Sequence, residues 1–251
     1  MSEPSVRISP SPDALAAAAV ERFVAAAAAA VTERGRFVVA LAGGSTPERA
    51  YSLLASPENA PRVDWARTFV YFGDERLVPH DDPRSNFAMA ERSLLSRVPL
   101  PADNVFAVPV EIGPPEAVAA AYAATLAREF NLPPNSLLPR FDLILLGLGD
   151  DGHTASLFPG KPTLEERDAW VVATPPGVLP PPVDRVTFTF PVINAARKVA
   201  FLVSGPGKSE VLREVLEGSP SVRDRPAVGV RPAEGELVWL LDEAAAARLS
   251  R

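Results

Sequence analysis

The sequence predicts an α/β fold: a Rossmann-like, mostly parallel sheet with helices on both faces, built as a single domain over residues 1–251. Three observations lead there. Short apolar runs at 36–41, 68–72, 141–146 and 198–203 alternate with helical stretches. Those runs lack polar alternation, as strands buried on both faces do. Polar or glycine-rich segments follow each of them, at 43–47, 73–76, 147–153 and 204–208. In a parallel sheet such segments gather at one edge, outside the carboxyl ends of the strands, where ligands bind. No low-complexity linker divides the chain, and 251 residues is near the upper end of what one core supports.

Each element has its own local reason. Ser11-Pro12-Asp13 opens the first helix, with Ser11 as N-cap and Pro12 in the first turn. The alanine-rich stretch 14–31 contains Glu21 and Arg22, so it reads as an amphipathic helix rather than a signal or membrane segment. The strand 36–41 turns through 43–47 into a helix reaching Leu54. The strand 68–72 ends in Gly73-Asp74-Glu75-Arg76, and a polar loop then leads to a helix over about 85–95. A helix follows over 114–130, then the most apolar strand, 141–146. Segments 169–173 and 185–190 read as strands. Strand 198–203 turns through Ser204-Gly205-Pro206 into a helix ending near Leu216. The chain closes with a strand over 236–241 and a helix over 242–249. Proline clusters at Pro133-Pro134 and Pro180-Pro181-Pro182 predict stiff loops.

Composition excludes several classes of function. The net charge of −6 argues against nucleic-acid binding, which needs a positive surface. An anionic ligand must therefore be met by a few aimed cations and backbone amides. The absence of cysteine removes disulfides, thiolate metal sites and a thiol nucleophile. With only His80 and His153, a three-histidine metal site is excluded. No export or membrane signal is visible, so the cytoplasm is the expected location, and a monomer is favoured.

The four strand-end segments carry the chemistry. Gly43-Gly44-Ser45 offers close backbone approach and free amides at a helix start, which suits a phosphate or, equally, a plain tight turn. Ser204-Gly205-Pro206-Gly207-Lys208 repeats that design; a bound anion would offset Lys208 in a first helical turn, where the dipole disfavours a cation. Arg76 can clamp a phosphate or a carboxylate. His80, between Pro79 and Asp81, reads as an exposed loop residue. Gly147 to Gly152 matches G-x-G-x-x-G after a strand. A dinucleotide reading fails there, because Asp150 and Asp151 would face the pyrophosphate and Pro159-Gly160 cuts short the helix. The loop instead presents His153, a general-base candidate with a carboxylate two residues before it.

Jointly, Leu41-Ala-Gly-Gly-Ser-Thr-Pro47, Phe72-Gly-Asp-Glu-Arg76 with Ser85-Asn86, the run 147–160 and Ser204-Gly-Pro-Gly-Lys208 resemble the 6-phosphogluconolactonase family in order and spacing. The resemblance implies hydrolysis of 6-phospho-D-glucono-1,5-lactone to 6-phospho-D-gluconate in the oxidative pentose phosphate pathway, with no metal or cofactor and no partner beyond the phosphosugar lactone. It places the catalytic histidine on His153 and phosphate contacts on Gly43, Gly44, Ser45, Arg76 and Lys208. Asp74 or Asp151 assists the base, and Arg76 serves either the phosphate or the oxyanion. The related glucosamine-6-phosphate deaminases carry a glutamate five residues after the histidine, where this chain has Phe158, and a tyrosine where it has Arg76. Their reaction needs more proton transfers than a lactone hydrolysis does. A sugar-phosphate sensor would need a DNA-binding module, and no basic helix-turn-helix segment precedes residue 11.

Overall fold

The computed structural model describes residues 4–132, 137–176 and 182–250. Apart from Pro182, the two proline clusters lie outside these residues. A six-stranded, all-parallel sheet is built from β1 (Ser5–Ser9), β2 (Phe37–Leu41), β3 (Thr68–Phe72), β5 (Leu143–Leu146), β8 (Lys198–Val203) and β9 (Glu236–Asp242), in the order β1-β9-β8-β5-β2-β3. A three-stranded antiparallel sheet joins β4 (Asp74–Arg76), β7 (Arg185–Phe188) and β6 (Val171–Thr174), in the order β4-β7-β6.

Helix α1 (Pro12–Arg34) begins as its sequence dictates: Ser11 Oγ accepts the Ala14 N–H, and Gly35 ends it in the left-handed conformation at φ 74°. Its mean hydropathy of 1.7 is high enough for a membrane span. Here, however, Leu15, Ala19, Phe23, Ala26 and Ala30 form a buried stripe packed on β1, β2 and β9. The strands β2 and β3 run in register, so Phe37 and Tyr71 point to opposite faces. Phe37 meets Phe23 of α1 edge-on at 5.2 Å, while Tyr71 packs on Phe130 at the end of α4 (Pro115–Glu129). Helices thus cover both faces of the parallel sheet.

The chain runs outward from β2 to β3 and then returns to β5 on the other side of β2. The strand order reverses between β2 and β5, and there the loops after them open a crevice. Helices α2 (Ser45–Leu54), α3 (Asn86–Ser93) and α6 (Ser209–Glu217) follow the remaining strand-end segments.

Three local expectations are corrected, and one strand lies where none was read. Residues 74–76 form strand β4 instead of a loop, because β7 supplies a pairing edge. Residues 5–9 form an edge strand on β9 despite their mixed polarity. The expected strand 185–190 stops at Phe188, and Phe190–Ala195 forms the short helix α5 with Pro191 in its first turn. The expected final helix is a series of turns after Asp242, which extends β9, although the Asp242 carboxylate accepts the Ala245 N–H as a helix N-cap does.

Candidate active site

The four strand-end segments meet in a cleft of about 240 Å³. Its walls include Gly43 and Gly44 after β2, Gly73, Asp74 and Arg76 around β4, Gly147 to Asp150 and His153 after β5, and Lys208 after β8. Arg185 of β7, which sequence reasoning took only as a strand residue, lines the same cleft.

His153 is held by its own loop. Asp151 Oδ1 lies 2.6 Å from the ring Nδ1 and accepts the His153 backbone N–H at 3.0 Å. The Gly149 N–H donates to the His153 carbonyl, and the Gly152 N–H to the Gly149 carbonyl, closing a tight turn. A Cβ on Gly149 would stand 2.0 Å from His153 Nδ1, so it could enter only by displacing the imidazole, and Gly152 has φ 82°, a conformation that favours glycine. The Phe158 ring supports the imidazole at 4.8 Å. Burial pushes the Asp151 carboxyl upward, but its hydrogen bonds to His153 and the imidazole charge outweigh this and hold it below its ordinary value. An ionised carboxylate only accepts, so Nδ1 donates to it, and in the neutral imidazole Nε2 is the nitrogen left to accept.

Asp74 does not touch His153 in this way. Its carboxylate accepts from Ser156 Oγ at 2.6 Å and from Asn86 Nδ2 at 3.3 Å. Beside it, buried Glu75 accepts from Ser85 Oγ and from the Asn86 and Phe87 N–H groups, capping α3. Burial nonetheless raises the Glu75 carboxyl above its ordinary range. This cap fixes Asn86 beneath Gly43, where a Cβ would overlap the Asn86 amide at 1.8 Å. Gly43 therefore owes its identity to close packing.

The cations are positioned by neighbouring strands. Arg76 and Arg185 are cross-strand partners on β4 and β7. The Arg76 guanidinium donates to the Arg84 carbonyl at 2.6 Å. The Arg185 guanidinium lies 5.2 Å above the Phe158 ring. Burial lowers the Arg185 pKa from its ordinary value; Asp74 opposes this and Arg76 adds to it. Lys208 ends a short 3-10 turn ahead of α6, and its ammonium pairs with Asp150 at 2.5 Å.

Two expected phosphate contacts sit differently. Ser45 is the exposed first residue of α2 and is not in the cleft wall. The second glycine-rich turn is occupied from within: Asp242 accepts Ser204 Oγ at 2.5 Å and the Gly205 N–H at 3.1 Å. That turn therefore differs from the one at Gly43-Gly44, and only its Lys208 reaches the cleft. His80 is half-buried rather than exposed; its Nε2 lies 2.8 Å from the Val108 carbonyl and its ring packs on Phe87. Among the described residues, no three His, Asp or Glu side chains gather as a metal site.

A family model described as glucosamine-6-phosphate isomerases/6-phosphogluconolactonase matches residues 10–239. A 6-phosphogluconolactonase of Nostoc sp. is 40% identical over 246 residues, covering 98% of this chain and 98% of that protein. A 6-phosphogluconolactonase of Rattus norvegicus is 43% identical over 237 residues, covering 93% of this chain and 89% of that one. Among solved structures, 6-phosphogluconolactonase from Trypanosoma brucei superposes with a TM-score of 0.86 at 32% identity, covering 99% of each chain. A monomeric glucosamine-6-phosphate deaminase superposes with a TM-score of 0.80 at 21% identity, over 97% of this chain and 99% of that one, which shows a common fold.

Proposed function

The chain belongs to the glucosamine-6-phosphate isomerase/6-phosphogluconolactonase family, and from that premise we propose that it hydrolyses 6-phospho-D-glucono-1,5-lactone to 6-phospho-D-gluconate with His153 as general base. The observation that carries the reading is the pairing of an Asp151-anchored imidazole with glycine amides and cations in one cleft. A deaminase glutamate has no counterpart, since Phe158 stands at that position and packs against the imidazole.

The substrate's phosphate docks near the Gly43-Gly44 turn and the start of α2, with Lys208 and Arg76 supplying charge. This places the lactone ring over the end of β5. Nε2 of His153 takes a proton from water, whose oxygen attacks C1. The carbonyl π pair moves to oxygen, giving a tetrahedral oxyanion. Collapse breaks the bond from C1 to the ring oxygen, and His153 returns its proton to that oxygen. The product acid then ionises. Asp151 keeps the imidazole in the tautomer this sequence requires and steadies the transient imidazolium.

The test is the rate of 6-phosphogluconate formation from freshly generated lactone, followed with a coupled dehydrogenase after subtracting spontaneous hydrolysis. The expected result is strong acceleration by the native protein and loss of about 10²–10⁴-fold in His153→Ala. A fully active His153→Ala would remove the base assignment. An inactive native protein that releases ammonia from glucosamine 6-phosphate would replace the reading with deamination.

A further inference from the structure

We propose that Arg185 is a further catalytic residue, the cation that stabilises the C1 oxyanion and then binds the C1 carboxylate of the product, leaving Arg76 and Lys208 to the phosphate. The proposal rests on the lactonase reading and assigns the oxyanion partner that reading leaves open.

Position carries the argument. Arg185 is 3% exposed yet lines the cleft. Phe158 links it to the base, with the imidazole packed on the ring at 4.8 Å and the guanidinium at 5.2 Å from its centroid. Gly43-Gly44 and Lys208 follow β2 and β8, the strands flanking β5, so a phosphate they share sits over the parallel sheet. Arg185 approaches from the antiparallel sheet, on the strand beside Arg76, and its guanidinium lies over Phe158, the ring on which the His153 imidazole also packs. The end of the substrate nearest His153 is C1, and that is the end Arg185 serves.

Electrostatics points the same way. Arg76 and Arg185 are directly opposed on β4 and β7, a like-charge pairing that disfavours the sheet. An anion forming between cation and base relieves that opposition. A buried guanidinium acts on it in a poorly screened setting and needs no reorganisation as charge develops. The substrate has one permanent anionic group, while the reaction creates a second at C1. The cleft correspondingly holds Lys208 and Arg76 on either side and a separate buried cation, Arg185, whose charge the carboxylates of Asp74, Glu75 and Asp151 favour.

The test uses Arg185→Gln and Arg185→Lys in the intact protein. For Arg185→Gln, kcat on the phosphorylated lactone should fall by about 10²–10³-fold with KM little changed. Affinity for 6-phosphogluconate should fall at least tenfold, while affinity for glucitol 6-phosphate, which lacks the carboxylate, should stay within about twofold. Arg185→Lys should recover part of the loss. Should Arg185→Gln fail to fold, the same ligand pair on Arg185→Lys decides, with a selective loss for 6-phosphogluconate expected. Equal loss for both ligands would make Arg185 a phosphate residue and overturn the proposal, as would unchanged kcat. Native protein with no lactonase activity would instead remove the parent reading.

Discussion

Asp151 Oδ1 holds His153 at two points, 2.6 Å from the ring Nδ1 and 3.0 Å from the backbone nitrogen. One carboxylate therefore fixes both the tautomer and the loop that presents it. In Asp151→Asn, the amide can present its N–H to Nδ1 and turn the free proton toward the substrate. The expected outcome is a kcat loss of about 10²-fold or more with KM nearly unchanged. Steady-state kinetics against the native protein checks it.

The same pair sets an acid limit on stability. Hydrogen bonds to His153 hold the Asp151 pKa below its unfolded value, against the opposing effect of burial. A lowered carboxylate pKa contributes stability that is complete above the unfolded value and is lost as pH falls through the folded one. Denaturant melts should show the difference between native protein and Asp151→Asn shrinking as the pH drops below about 4, the ordinary aspartate range. A difference that grows on acidification would contradict the assignment.

Gly149 tests the geometry of the loop. An added Cβ would fall 2.0 Å from His153 Nδ1 and 2.8 Å from Asp151 Oδ1. The imidazole is the mobile partner, so Gly149→Ala should displace the base rather than unfold the chain. Activity should fall by about 10²-fold or more. Thermal denaturation should move by only a few degrees, corresponding to about 1 kcal/mol.

Much of this site was legible in the sequence because it is written in short contiguous blocks. A strand of five buried residues followed by glycine or charge marks a carboxyl end, and parallel topology brings such ends together. Gly43, Arg76, His153 and Lys208 were each visible for that reason. Arg185 was not, because it begins a strand with no neighbouring motif, and its place in the cleft wall comes from pairing with β4. The strand β4 was itself hidden, since Asp74-Glu75-Arg76 has loop composition and becomes a strand only through tertiary pairing. The capture of Gly205 by Asp242 was equally hidden, joining residues 37 positions apart. The turns at 243–248 stand where an alanine-rich pattern reads as helix, even though Asp242 caps their start.

The Lys208–Asp150 pair yields the last prediction. Its ammonium is poised at the cleft, but Asp150 already occupies it at 2.5 Å. Asp150 is 63% exposed on its side chain, so the pair is well screened and costs little to open. A phosphate dianion competes with that carboxylate for the same cation. Removing the competitor in Asp150→Ala should tighten phosphate-bearing ligands severalfold, while Lys208→Ala should weaken them by about tenfold or more. Both changes belong in KM and in the affinity for glucitol 6-phosphate, with kcat little altered. In the double variant the benefit of Asp150→Ala should vanish, because the two substitutions act through one contact. Calorimetric titration of the four proteins closes that cycle. A benefit that survives in the Lys208→Ala background would show that Asp150 repels the phosphate directly.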